Sequence, residues 1–359
     1  MEKKAQLQLT FNWIYILIAG VVILLFFVGI ILKGQTVAEQ SLEQDIVRIV
    51  ESILIGAGVS ENTKNFIDVS GLTDYILEFK CEDDFASLGI KGGAFKEIPI
   101  EPVFAPLELR TSGLILWSVP YELPFKVIDL LMATSVNTKY FVVGDGEFKE
   151  ELEKAVKFEQ GDRVRFNFDF EGNFDLGGNY QARVVYLEPI GSDVPGGLQG
   201  EEKVTAVDIS GREITYYTAV NGRWAADGGA IPLISLPGEK EAAKYAAIFA
   251  GNAESYKCNM RKAFKRLEYV TKVYEGKLNE LLEYYENPLA DNQQNCKFIL
   301  KEKKPDNMAD VFNFQFKSWI VGCKTEARRE DFSYCVGLLE PAEKLRNLNE
   351  ELRSCIQLY

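Results

Sequence analysis

The chain has 359 residues, with 40 Lys plus Arg against 53 Asp plus Glu, and no histidine. Its 47% hydrophobic and 26% charged content supports packed cores rather than wholesale disorder, and its length fits about two folded units. A net charge of −13 excludes nucleic acid as the main partner, and the missing imidazole excludes Ser-His-Asp and Cys-His catalysis, histidine-ligated metals and a histidine pH switch.

Residues 1–10 form a short polar stub, expected to be cytoplasmic. Phe11–Leu32 (FNWIYILIAGVVILLFFVGIIL) then runs 22 residues without a charge. At about 1.5 Å per residue it reaches about 33 Å, enough to cross a bilayer as one transmembrane helix. Phe11, Trp13 and Tyr15 gather at one end, at headgroup level. The run exceeds the apolar region of a cleaved signal peptide, so a retained signal-anchor is expected. The lysines flanking it give a narrow bias toward an outside C-terminal part, and the lipid bilayer is the first expected partner.

Residues 33–59 read as a juxtamembrane helix, with Leu42, Ile46, Ile49, Val50 and Ile53 near 3.6-residue spacing and Gly56 and Gly58 as stop signals. Residues 60–238 read as an exterior α/β domain with a mixed, partly parallel sheet. Within it, 114–122 is expected as a strand, 124–135 as a helix opened by Pro124, and 138–144 as a strand. A helix is expected over 147–156, with an acidic first turn, and a strand over 162–171. That alternation implies parallel pairing through right-handed crossovers. Residues 239–359 read as an all-α bundle. Apolar residues from Tyr245 to Tyr285 recur every three or four positions, which implies one helix of some 45 residues. Pro305 and Pro341 are expected to interrupt the patterns that follow.

Five of the six cysteines fall in the helical third, and no C-x-x-C pair occurs. Turns near 289 and 326 would level Cys258 with Cys323 and Cys296 with Cys355. These are the candidate disulfides, with Cys323–Cys335 a local rival. Bridges would suit an oxidising exterior.

Two acidic clusters offer metal ligands. Asp145 and Glu147 lie in the strand-to-helix turn GDGEF, where their charge disfavours a phosphate and suits a cation. Asp169, Glu171 and Asp175 alternate in DFEGNFD like calcium ligands, although the segment fails the EF-hand spacing and also fits a half-solvated strand. No phosphate loop, nucleophile elbow or H-E-x-x-H occurs, and no cofactor is implied.

The stretches FNWIYILIAG, FAPLELRTSGLILWSVPYELPFKVIDLLMATS and YKCNMRKAFKRLEYV resemble single-span membrane proteins of small-genomed archaea. That resemblance implies an anchor-plus-exterior-domain layout and carries no activity. Lys4-Ala5-Gln6 before the apolar helix is similar to the processing site of archaeal pilin-like proteins, but Thr10 replaces their acidic residue. The expected function is a membrane-anchored envelope protein that binds another envelope component or a second copy of itself without catalysis. The alternatives are an exterior enzyme using carboxylates and a divalent cation, and a pilin-like filament subunit.

Overall fold

The computed structural model describes residues 41–58, 64–82, 85–98, 102–157, 165–168, 174–238, 241–287, 291–327 and 331–359. The expected span Phe11–Leu32 lies outside them. Among the described residues no helix is long and apolar enough to cross a membrane.

Helix α1 (41–58) buries Ile46, Val47, Val50, Leu54 and Ala57, and runs through Gly56 instead of stopping there. It covers a small antiparallel sheet of β2 (Leu77–Glu82), β3 (Phe85–Ile90), β4 (Phe95–Ile98) and β6 (Glu108–Leu109), in the order β4-β3-β2-β6. The buried Glu51 of α1 pairs with Lys96 of β4.

The central sheet has the order β1-β7-β8-β5, from β1 (Lys64–Asp68), β7 (Gly113–Glu122), β8 (Lys126–Ser135) and β5 (Val103–Phe104). β7 and β8 pair antiparallel as a hairpin. Residues 126–135 are therefore a strand, where a helix was expected. Val127, Leu130 and Met132 enter one core and Leu131 and Ala133 another, so β8 is apolar on both faces and loses the alternation that marks a strand. Pro124 sits in the hairpin turn, where the Leu123 N–H donates to the Phe125 carbonyl at 3.0 Å.

The third sheet runs β10-β9-β11-β12-β13-β14: β9 (Thr138–Val143), β10 (Arg165–Asn167), β11 (Gln181–Tyr186), β12 (Val204–Asp208), β13 (Glu213–Val220) and β14 (Arg223–Ala226), with β15 (Ile231–Pro232) pairing beside β13. β10, β9, β11 and β12 are mutually parallel and the rest antiparallel. Helix α2 (Glu147–Val156) follows β9. The parallel array thus starts at β9, while β7 and β8 pair antiparallel with each other and β8 is parallel only to the two-residue β5.

The helical third packs directly on these sheets. α3 (Ala242–Phe249) and α4 (Ala253–Tyr284) are separate helices where one was expected. At the break, Asn252 caps α4 by accepting from the Ser255 N–H at 2.9 Å. A Cβ on Gly251 would stand 2.7 Å from the Leu107 nitrogen, so the chain bends where only glycine clears the neighbouring backbone. α5 (Asp291–Lys297) continues as a π-helical turn. α6 (Met308–Asp310) leads through another π-helical segment into α7 (Lys317–Ala327), and α8 (Leu339–Glu351) closes the chain. Pro341 lies in the first turn of α8, where proline is tolerated, so it does not interrupt that helix. Pairs such as Trp117 with Tyr245 (4.7 Å between ring centroids) and Phe125 with Tyr274 (4.2 Å) join sheet and helices in one core across the boundary expected at 238.

All six cysteines are paired, a state suited to an oxidising environment: Cys81–Cys258, Cys296–Cys355 and Cys323–Cys335. The expected Cys258–Cys323 bridge does not form. Glu268 pairs with Lys324 and Glu275 with Lys317, which levels Cys323 with a point on α4 about three turns past Cys258. Cys258 instead faces the β2 side of the core.

Two stability predictions follow from these links. The loops closed by Cys81–Cys258 and Cys323–Cys335 span 177 and 12 residues. On chain entropy they contribute about 5 and about 3 kcal/mol, so guanidinium unfolding should show the larger loss for Cys81→Ser with Cys258→Ser. Glu108 bonds Lys91 at 2.5 Å and Lys203 at 2.6 Å, tying the small sheet to the start of β12. Burial pushes its carboxyl up, but the two lysines outweigh burial and hold it below the ordinary value of 4.5. The ionised pairs therefore stabilise fully above about pH 4.5 and are lost as pH falls through the lower folded value. Glu108→Gln should cost about 1 kcal/mol at pH 7 and progressively less below pH 4, read by urea unfolding across pH.

Candidate functional site

The parallel strands β9, β11 and β12 end at Val143, Tyr186 and Asp208. In open α/β sheets, ligand crevices lie outside such carboxyl ends. A cavity of about 1020 Å³ opens there, walled by the turn Asp145–Phe148, by Leu187, by Ile209 and Gly211, and by Pro237, Gly238 and Glu241. Gly144 makes the turn possible. Its φ is +99°, and a Cβ would crowd the Glu188 nitrogen at 3.2 Å.

Other elements supply the floor. Trp117 and Val119 come from β7, Lys64 from β1, and Lys244 and Tyr245 from α3. Lys64 lies over the Trp117 ring and donates to the Ala155 carbonyl at the end of α2, a favourable place for a cation. Lys244 lies over Phe148, 4.8 Å from the ring centre, and pairs with Glu241 at 2.9 Å. The Tyr245 hydroxyl donates to Glu151 at 2.6 Å. Burial, reinforced by Glu151, pushes this phenol well above its ordinary value, so it stays a donor at neutral pH.

Five carboxylates and three ammonium groups line the cavity. The lining is net negative, and Glu147 and Glu150 occupy the first turn of α2, where an anion would otherwise be attracted. The arrangement favours a cationic or neutral polar ligand.

The sequence-derived metal residues are only partly gathered here. Asp145 and Glu147 line the cavity, and Asp145 bonds Lys149 at 3.1 Å. Asp175 belongs to the opposite end of β9, where its carbonyl accepts from Lys139 and its carboxylate from the Gly177 N–H at 2.9 Å. Asp169 and Glu171 lie outside the described residues. Among the described residues no group of three or more acidic or cysteine side chains is placed to hold a metal ion. Sequence reasoning missed Lys64, Trp117, Glu151, Glu241 and Lys244 as site residues, and read Tyr245 only as core. They meet through tertiary packing, and no short motif marks them.

No known protein family, curated protein or solved structure matches the chain.

The charge balance sets an expectation for small ligands. Spermidine should raise the unfolding temperature of the chain by about 2 °C, while inorganic phosphate at equal concentration leaves it unchanged. Glu147→Lys with Glu150→Lys should remove the spermidine effect.

Proposed function

We propose that the chain is a single-pass envelope protein, anchored through Phe11–Leu32, with its following residues outside the cell. In this reading it works by binding, and the cavity at the carboxyl ends of β9, β11 and β12 receives a polar, neutral or cationic component of the envelope.

The pairing of all six cysteines carries the reading. Such bonds persist outside the cytosol, and the uncharged 22-residue run supplies the tether. The cavity adds support for binding. Lys64, Lys244 and Tyr245 are each already engaged by a neighbouring acceptor, as suits groups that shape a pocket.

The test is thiol labelling with a membrane-impermeant maleimide on intact and lysed cells. Without reductant, neither sample should label. After treatment with an impermeant phosphine, intact cells should label as fully as lysed ones. Free thiols before reduction, or labelling confined to lysed cells, would overturn the exterior placement.

A further inference from the structure

A second cavity, of about 550 Å³, lies at the opposite ends of the same parallel strands, where β9, β11 and β12 begin. Its distinctive member is Arg183 of β11, only 5% exposed. The guanidinium closes the end of α3: Nη2 donates to the carbonyls of Ala250 (2.7 Å) and Ala247 (3.4 Å), and Nη1 to the Gly251 carbonyl (3.2 Å) and Thr205 Oγ1 (3.1 Å). Its cationic face lies 5.2 Å from the centre of the Tyr216 ring.

These contacts leave two needs unmet. The Nε–H is buried and has no acceptor among the described residues. Among the described residues no carboxylate forms an ion pair with Arg183, and Asp227 acts on it only from further away. Glu108 offers no compensation, because Lys91 and Lys203 already hold it. A buried cation without a counter-charge is unfavourable, and a guanidinium is shaped for a carboxylate. The remaining wall combines apolar groups (Leu107, Ile248, Phe249) with hydroxyl and amide groups (Thr138, Gln181, Thr218), and the charged Glu108, Glu202, Lys203 and Asp227 also line it.

We propose that this cavity binds a small monocarboxylate with an apolar body, its carboxylate directed to Arg183 and its body against Leu107, Ile248 and Phe249. The ligand brings the missing negative charge and leaves the helix-end bonds intact. This site is separate from the first cavity and stands whether or not the chain is an envelope protein.

Benzoate and its neutral isostere benzamide are the probes, titrated by calorimetry into the full chain in detergent. Benzoate should bind saturably and at least about tenfold more tightly than benzamide, the ratio expected for a charge-assisted bond over a neutral one. Leu107 is 40% exposed at the cavity wall, so Leu107→Trp should narrow the site without unfolding the chain and weaken benzoate about tenfold. Arg183→Lys, which keeps the charge and loses the planar fork, should weaken it similarly. If Arg183→Lys does not fold, Leu107→Trp still decides. Equal affinity for the two probes, no saturation, or full benzoate affinity in Leu107→Trp would overturn the proposal.

Discussion

Away from its turn end, the β7–β8 hairpin has no wet face. Ile115, Trp117, Val119 and Tyr121 point into the core shared with α3, α4 and the parallel sheet, while Leu114 and Leu116 point into the core under α1. Its outer edges are paired too, by β1 and β5. A strand pair buried on both faces stays folded only when both covering layers are present, because each removes apolar surface the other cannot reach. The small sheet with α1, the parallel sheet and the helices are thereby tied to one another through this hairpin.

That arrangement explains which elements were legible in the sequence. β7, β9 and α2 carry local signals: aromatic and β-branched runs, and an acidic first turn. β8 does not, because burial on both faces replaces alternation with the continuous run VIDLLMATS, in which Leu, Met and Ala favour a helix. The break between α3 and α4 was hidden for a different reason. It follows from the approach of the Leu107 backbone to Gly251, a contact between segments far apart in sequence. Of the two cysteine pairings expected from matched helix heights, Cys296–Cys355 forms and Cys258–Cys323 does not. π-helical turns and the insertion around α6 shift α7 along α4, and Cys258 turns to the sheet.

The candidate site follows the same division. Asp145 and Glu147 were readable because a Gly-rich turn between strand and helix is a local feature. Lys64, Trp117 and Tyr245 arrive from β1, β7 and α3, and only the stacking of the layers makes them neighbours. The two cavities occupy opposite ends of one set of parallel strands and differ in charge logic. In the first, Lys64 is answered by a carbonyl and Lys244 by a carboxylate. In the second, one guanidinium is answered by the closing turn of α3, the Thr205 hydroxyl and the Tyr216 ring, with no carboxylate paired to it among the described residues.

The Cys81–Cys258 bond joins the small sheet to the long helix and encloses nearly the whole sheet-forming part of the chain. A protease that cuts once anywhere inside this span would leave two fragments that cannot diffuse apart. Surface turns such as the Gly-rich segment near Gly196 can therefore be nicked without either piece being shed. For a molecule that meets hydrolytic enzymes, covalent closure of this kind makes persistence independent of an unbroken backbone.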